Sequence, residues 1–180
     1  EQVAAMSTAQ ISAIEADDVS HMTSEQVQAL TAPQVTALTT DQVSQLTSEQ
    51  VAAMSTAQIV AMGADVASLS ETALPGLSTE QISAMTGAQV TALGSDQFMS
   101  LSADQMQGFT ASQATSIDTA DLVRLSTEQV QGLTTGVIHA LSTDQINNLA
   151  PEQVGALTAD QAKAMTAAQV TALQIGRAHV

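Results

Sequence analysis

The sequence predicts an all-α solenoid of very short capped helices, with one helix for each eight-residue repeat. Residues 7–173 divide into 21 units, and every unit ends in a large apolar residue. The units are eight residues long except for the seven-residue unit at 63–69. Their consensus is Ser/Thr-x-Asp/Glu/Ala-Gln-Val/Ile-x-Ala-Leu/Met, and Gln fills the fourth position in 16 of the 21 units. Self-similarity at a fixed short period is the signature of stacked repeat architectures.

Each unit carries its own helix-start signal. A Ser or Thr followed three residues later by Gln predicts a capping box, in which the two residues satisfy each other's free backbone N–H groups. Thr47 and Gln50 form one example, and Glu49 between them suits the positive end of a helix dipole. Val51 and Met54 are three residues apart and therefore share one helix face. The pattern predicts helices of about five or six residues, joined by corners of two or three residues.

One continuous helix is a poor interpretation of this pattern. Each octad would advance the apolar stripe by roughly 80° beyond two full turns, so that no coherent seam would form. A single short unit cannot be stable alone, whereas stacked units stabilise one another. Alanine is common at position seven, as in Ala53 and Ala84, where a small residue allows coils to approach closely. A β-solenoid remains an alternative because Val and Thr favour strands, although Gln, Ala, Glu and Met favour helix.

The repeat is predicted to run continuously through residues 1–174, with an irregularity at residues 63–77. The short unit there is followed by Pro75-Gly76, a turn signal, so we expect a kink or a hinge. Asp replaces the repeated Gln at Asp18, Asp65 and Asp121, about six to seven units apart. This spacing is consistent with a longer period of several helices per coil.

Residues 175–180, Ile-Gly-Arg-Ala-His-Val, break the pattern abruptly. This hexapeptide resembles the conceptual translation of sequencing-adapter read-through. We therefore expect a non-native tail on an assembled environmental fragment.

Composition disfavours several classes of function. The chain carries 18 acidic and 3 basic residues, a formal net charge of −15, which opposes binding to nucleic acid and to anionic membranes. No apolar run approaches the roughly 20 residues that a membrane-spanning helix requires, so membrane insertion is not expected. The chain contains no cysteine, which excludes disulfides and thiol chemistry.

The sequence predicts no catalytic, cofactor-binding or metal-binding residue. His21, His139 and His179 stand singly, without a second His or a Cys at metal-ligand spacing. No Ser has a plausible base beside it, so nucleophilic catalysis has no candidate. The eight methionines lie largely at the apolar anchor positions and are interpreted as core residues.

Most acidic residues fall at the third position of a unit, where a carboxylate favours the start of a helix. The alternative interpretation is an acidic ladder that associates weakly with divalent cations such as calcium. The Gly-Gly-x-Gly-x-Asp calcium loop of repeat toxins is missing. The acidic residues concerned are Glu25, Asp41, Glu49, Glu80, Asp96, Asp104, Glu128, Asp144, Glu152 and Asp160.

The run Leu-Thr-x-x-Gln-Val-x-Ala-Leu, present with one departure each in residues 38–46 and 149–157, resembles repeat tracts of very large bacterial surface proteins. These are proteins of the adhesin or haem-utilisation-or-adhesion type. The resemblance covers essentially residues 1–174 and implies a secreted, surface-attached chain. The run is also similar to the start of repeats in transcription-activator-like effectors, but over only eight or nine residues and without their basic character.

These observations predict a structural spacer or stalk segment of an extracellular adhesin-like protein, without catalysis. The alternative is a binding module whose repeat face contacts a cell-surface protein, a glycan or a surface in a calcium-dependent manner.

Overall fold

The computed structural model describes residues 2–177, and the side chains of residues 2–173. Across these residues the chain forms short helices and no β-strand, which confirms the all-α prediction and leaves the β-solenoid unsupported. The α-helices are α1 (Thr8–Ser12), α2 (Ala16–Ser20), α3 (Ser24–Gln28), α4 (Ala32–Thr36), α5 (Thr40–Ser44), α6 (Ser48–Ala53), α7 (Thr56–Ala61), α8 (Thr79–Ala84), α9 (Gly87–Ala92), α10 (Ser95–Ser100), α11 (Ala103–Met106), α12 (Thr119–Leu122), α13 (Thr127–Gly132), α14 (Thr135–Ala140), α15 (Thr143–Asn147), α16 (Pro151–Ala156), α17 (Ala159–Ala164) and α18 (Ala167–Arg177). Shorter 3-10 helices span Val3–Ala5, Gly63–Ser68, Leu74–Gly76 and Ala114–Ser116.

Helix starts follow the predicted capping geometry. At α6 the backbone N–H of Thr47 donates to Gln50 Oε1 at 2.9 Å, and Gln50 N–H donates to Thr47 Oγ1 at 3.2 Å. Thr47 has extended backbone dihedrals, as an N-cap requires. Where the cap residue has no hydroxyl, as at Gly94 and Ala150, its N–H still donates to the glutamine Oε1 of its own unit. The glutamine half of the capping box is therefore its more constant half.

Helices end at the apolar anchor of position eight, as α6 does at Met54, or one or two residues before it, as α3 does at Ala29. Met54 has extended backbone, with φ −69° and ψ 144°, and its N–H donates to Val51 O at 3.1 Å. Because the next cap residue is extended as well, the chain turns over about two residues before the following helix begins. In the described chain Gly63 alone has positive φ, so these corners need no left-handed residue elsewhere.

The core is a thin aliphatic column formed by positions five and eight. Val51 is 0% exposed and Met54 4%, as the shared helix face predicted. The buried cluster runs from Ile11 to Leu149. The two aromatic residues, Phe98 and Phe109, stack inside it with ring centroids 5.7 Å apart.

Successive coils stack so that a unit contacts units about three to four places away along the chain. Helices contact each other three units apart along the chain, as in α3 with α6, α4 with α7 and α13 with α16. At Gly132 an added Cβ would lie 2.1 Å from Ala103 O, and at Gly76 it would lie 2.0 Å from Ser48 O. Both glycines occupy position seven, so the prediction of close approach there is confirmed. One coil therefore takes about 28 residues, or about three and a half units.

Residues 63–77 form 3-10 rather than α-helical turns, at Gly63–Ser68 and Leu74–Gly76. Gly63 starts the seven-residue unit with φ +57°, a conformation that favours glycine. Val66 and Leu74 are nevertheless 0% exposed and belong to the same core as their neighbours. A kink or a hinge at this place stays a prediction.

The last helix, α18, extends through residues 175–177, the first half of the hexapeptide predicted to be a non-native tail. Residues 178–180 lie outside the described residues, as does Glu1.

Candidate functional site

The repeated glutamine links each coil to the coil before it. While Gln50 Oε1 accepts from its own helix cap, Gln50 Nε2 donates to Val19 O at 2.8 Å and to Met22 O at 2.7 Å. These carbonyls belong to positions five and eight of the unit four places earlier. Gln50 is 2% exposed, so one buried carboxamide satisfies three backbone groups of two coils.

The same arrangement recurs along the tract, and we call it the glutamine ladder. In every member Nε2 donates to a backbone carbonyl 27–31 residues earlier, with the shortest bond at 2.6–2.9 Å. Among the described side chains, no buried nitrogen or oxygen lacks a hydrogen-bond partner. The members are Gln34, Gln42, Gln50, Gln58, Gln81, Gln89, Gln97, Gln105, Gln113, Gln129, Gln145, Gln153, Gln161 and Gln169.

The ladder continues through the irregular segment. Gln105 Nε2 donates to Leu74 O at 2.9 Å and to Leu77 O at 2.8 Å, on either side of Pro75-Gly76. Gln97 Nε2 donates to Leu69 O at 2.9 Å, at the end of the seven-residue unit. The second bond of Gln97 Nε2 goes to Ala67 O at 3.0 Å, one residue after the buried Val66, so the ladder crosses the short unit with one shifted acceptor.

Units with Asp at position four are built differently. Asp121 is 5% exposed, and its carboxylate accepts a hydrogen bond from Ser95 Oγ of the preceding coil at 2.5 Å. A carboxylate cannot donate, so the neighbouring coil supplies the proton in place of a carbonyl. Asp18 lies exposed in the first coil and Asp65 is half-buried. The structure does not bring these three residues together, and a functional long period marked by them stays a prediction.

A second set of contacts between coils, at position six, was missed by sequence reasoning. Here a polar side chain contacts the backbone carbonyl at position seven of the unit three places later, at 2.9–3.1 Å. Position six is variable in sequence, so no signal distinguishes the residues that make this contact from those that face solvent. The pairs are Thr36 with Ala61 O, Thr91 with Ser116 O, Gln131 with Ala156 O and His139 Nδ1 with Ala164 O.

A family model described as the ALTTAQ repeat matches residues 1–32, 11–48, 33–64, 63–95 and 114–151. The chain belongs to the ALTTAQ repeat family. Its short helices, single aliphatic column and glutamine ladder are those of a structural repeat protein. No curated protein matches the chain.

The acidic side chains of the ALTTAQ units lie at helix starts. The pKa values of Glu25, Glu80 and Glu128 are lowered, first by hydrogen bonds from their own backbone N–H groups and then by bonds from the cap hydroxyls. Such bonds stabilise the charged form. They support the interpretation of these acids as helix-start residues.

Some acidic residues of the ALTTAQ tract lie at equivalent positions of helices that contact one another. Glu80, Asp104, Glu128 and Glu152 occupy the third position in successive contacting helices α8, α11, α13 and α16. In the described part of the chain, no three or more His, Asp or Glu side chains are grouped closely enough to hold a metal ion. Weak association with divalent cations stays a prediction.

The histidines of the tract lie apart from one another. His21 Nδ1 lies 2.9 Å from Asp17 O within its own helix end, and His139 contacts the next coil as described. His179 lies outside the described residues.

Over residues 2–177, no helix of the ALTTAQ tract has both the length and the hydropathy needed to span a membrane.

Proposed function

We propose that this ALTTAQ tract is a spacer that extends an adhesin-like protein from a bacterial cell surface and has no catalytic role. The observation that supports the spacer role most directly is the glutamine ladder, which joins each coil to the coil before it along the described tract. Because every added coil repeats the same bonds, the fold can gain length without changing its chemistry.

The ladder gives such a spacer stiffness. Each rung joins two coils through buried hydrogen bonds, for example from Gln113 Nε2 to Ile82 O at 2.8 Å and to Met85 O at 2.6 Å. Bending the stack would open these bonds on one side and leave buried polar groups without partners, which costs about 1–3 kcal/mol each. Each coil adds about 9 Å, the usual distance between packed helices.

The extracellular part of the proposal rests on the sequence resemblance to adhesin-type repeat tracts. The net charge of −15 is compatible with it, because like charges keep neighbouring stalks apart and in solution.

Length can be tested on the chain itself. Duplicating residues 78–133 inserts two further coils in register, so the maximum dimension from small-angle X-ray scattering should grow by about 18 Å. A Gly/Ser linker of equal length at the same place is the matched control, and should give a flexible scattering profile instead. An in-register insertion that scatters like the Gly/Ser control would contradict the spacer.

Location needs a separate experiment. Antibodies against the tract should label intact cells that produce the parent protein, and protease added to those cells should remove the label. A cytosolic marker that is stained only after permeabilisation is the control. Labelling confined to permeabilised cells would refute the extracellular proposal while leaving the spacer role untouched.

A second candidate is a calcium-dependent binding module. An open groove of about 600 Å³ between α3 and α6 is lined by Glu25, Glu49 and the hydroxyls of their helix caps. If this groove takes calcium, millimolar calcium should raise the thermal midpoint of unfolding. The effect should disappear in the double variant Glu25→Gln and Glu49→Gln. An unchanged midpoint in the original chain would remove this candidate.

A further inference from the structure

The helices stack in three rows along the solenoid, because each helix contacts the helix of the unit three places later. Position six lies at the surface of each row, where its side chain reaches the backbone of the next helix in the same row, as from Thr36 to Ala61 O at 2.9 Å. The position-six side chains of one row therefore form a line on the surface. The row that matters here contains α3, α6, the 3-10 helix Leu74–Gly76, α10, α12, α15 and α18, and we call it the first row.

The first row has apolar residues at position six in four successive members. They are exposed, with Met99 at 42% and Val123 at 40%. Among the described side chains of the other two rows, Val60 is the only large apolar residue at position six. We call the four residues the apolar stripe, and they are Ala52, Pro75, Met99 and Val123.

The irregular segment makes the stripe continuous. The 3-10 helix Leu74–Gly76 packs between α6 and α10, and Gly76 lies so close to α6 that an added Cβ would meet Ser48 O. Pro75, the exposed residue of this short helix, is therefore held between Ala52 and Met99 on the same face. The segment whose backbone departs from the octad pattern thus carries one of the four apolar residues.

Acidic residues border the stripe. Glu49 precedes Ala52 by three residues in α6, and Asp96 precedes Met99 by three residues in α10, so each pair shares one helix face. Glu71 is exposed in the turn before the 3-10 helix. We call Glu49, Glu71 and Asp96 the acidic border.

One cation lies beside this border. Arg124 Nη2 is 3.5 Å from Asp96 Oδ1, in a pair whose side chains are 51% and 70% exposed. Neither Glu49 nor Glu71 forms a salt bridge with a described residue. Charge complementarity therefore favours a cationic occupant and disfavours a second copy of this chain, which has a net charge of −15.

The length of the stripe suits a helix. Four positions on helices that pack about 9 Å apart span about 27 Å. An α-helix of about 18 residues has this length. One apolar helix face laid along a narrow apolar line is a common mode of peptide recognition. An interface of this small size is typical of a weak, transient contact.

We propose that the apolar stripe is a docking surface for an amphipathic, cationic α-helix of a partner protein. The apolar face of that helix lies along the stripe, and its Lys or Arg residues face the acidic border. This role goes beyond that of a spacer, because it gives one lateral face of the tract a specific partner.

The test uses a synthetic 18-residue peptide of Leu and Lys, with Leu on one helix face and a fluorescent label. Its binding to the full 180-residue chain is followed by fluorescence anisotropy at about 0.15 M salt, which screens long-range attraction. We expect saturable binding of one peptide per chain. A peptide with Glu in place of Lys, and another with Ser in place of Leu, should not bind.

Variants of the chain locate the contact. Met99→Ser with Val123→Ser removes apolar surface without changing charge, and should weaken binding about tenfold or more. Val60→Ser is the matched control, because Val60 is 38% exposed at position six of another row, and should bind like the original chain. Circular dichroism checks the helix content of every variant.

The acidic border is tested in the same way. Glu49→Gln with Glu71→Gln removes two charges beside the stripe and should weaken binding. Asp104→Asn with Glu128→Gln removes two charges from α11 and α13, in another row, and should have little effect.

Several results would overturn the proposal. The Leu and Lys peptide could fail to bind, the Leu and Glu peptide could bind as tightly, or Val60→Ser could lose as much affinity as the Met99 and Val123 variant. Sedimentation of the chain alone could also show a dimer that the Met99 and Val123 variant no longer forms, which would assign the stripe to a second copy. None of these results bears on the spacer role or on location.

Discussion

Replacing one interior ladder residue by a side chain of similar size and no polarity should destabilise the tract strongly. Gln129 is 5% exposed and lies in the middle of the ladder. Its Oε1 accepts from Ser126 N–H at 2.9 Å, and its Nε2 donates to Phe98 O at 2.8 Å and to Leu101 O at 2.7 Å. The substitution Gln129→Met keeps the shape of the side chain and removes these three bonds, together with a longer one from Nε2 to Met99 O at 3.4 Å.

The three shorter bonds differ in the free energy that their loss costs. Leu101 O receives no other hydrogen bond from the described chain, so it becomes an unsatisfied buried carbonyl at a cost of about 1–3 kcal/mol. Phe98 O still accepts from Leu101 N–H at 3.2 Å, so its loss is about 1 kcal/mol. The lost acceptor for the N-cap N–H adds about 1 kcal/mol. We expect a total of about 3–5 kcal/mol.

Gln26→Met is the matched control. Gln26 makes the same cap contact, with Thr23 N–H at 2.7 Å, but no described bond to another coil. Its replacement should therefore cost about 1 kcal/mol. Ser126→Ala, in the same unit as Gln129, should also cost about 1 kcal/mol because it removes only the cap hydroxyl.

The free energy of unfolding is measured by urea denaturation, followed by circular dichroism, with unchanged slopes required for the comparison. If Gln129→Met and Gln26→Met destabilise the chain equally, the bonds between coils contribute nothing beyond the cap. The glutamine ladder would then not be the element that holds the coils together.

Three further outcomes are expected at other places. Gly132→Ala should destabilise the chain by about 2–4 kcal/mol, because its Cβ would lie 2.1 Å from Ala103 O. Gly155→Ala, whose Cβ would have nothing within 4 Å, should stabilise the chain by about 0.5 kcal/mol. Urea denaturation compares the two variants, and equal effects would contradict the close packing at Gly132. Gly63→Ala should cost about 1 kcal/mol through its positive φ alone, and Gly63→Asn less, in the same assay; no loss with Ala would argue against the left-handed turn. The folded-state pKa of Glu128 is lowered by backbone and cap hydrogen bonds, so its stabilising contribution is present above the ordinary pKa and is lost as pH falls through the folded-state pKa. An NMR titration checks this, and a midpoint at or above the ordinary value of 4.5 would contradict it.

Local features of the fold were predictable because their causes lie within one octad. The capping box of Thr47 and Gln50 and the buried pair Val51 and Met54 follow from spacings of three residues, which sequence displays directly. The close approach of coils at position seven also followed from residue size, and Gly76 and Gly132 show it.

The partners of the glutamine amides were not predictable from the same pattern. The sequence places Gln50 in a capping box, and the structure has that contact at Gln50 Oε1. A capping box uses only the oxygen of the carboxamide, so it says nothing about the Nε2 atom. Its Nε2 acceptors, Val19 O and Met22 O, are set by the number of units per coil. The number of units per coil depends on the change in chain direction at each corner, summed over several units. The eight-residue period does not reveal the size of that change. The position-six contact of Thr36 was missed for the same reason.

The ladder also has a direction, since every rung points from a later residue to carbonyls 27–31 residues earlier in the chain. During synthesis on the ribosome, each glutamine therefore emerges after its acceptors have already left the exit tunnel. A nascent chain can add one unit at a time onto a finished template and bury each new amide at once. Such a tract could grow to great length without exposing more than about one immature coil, which limits aggregation while the protein is being made.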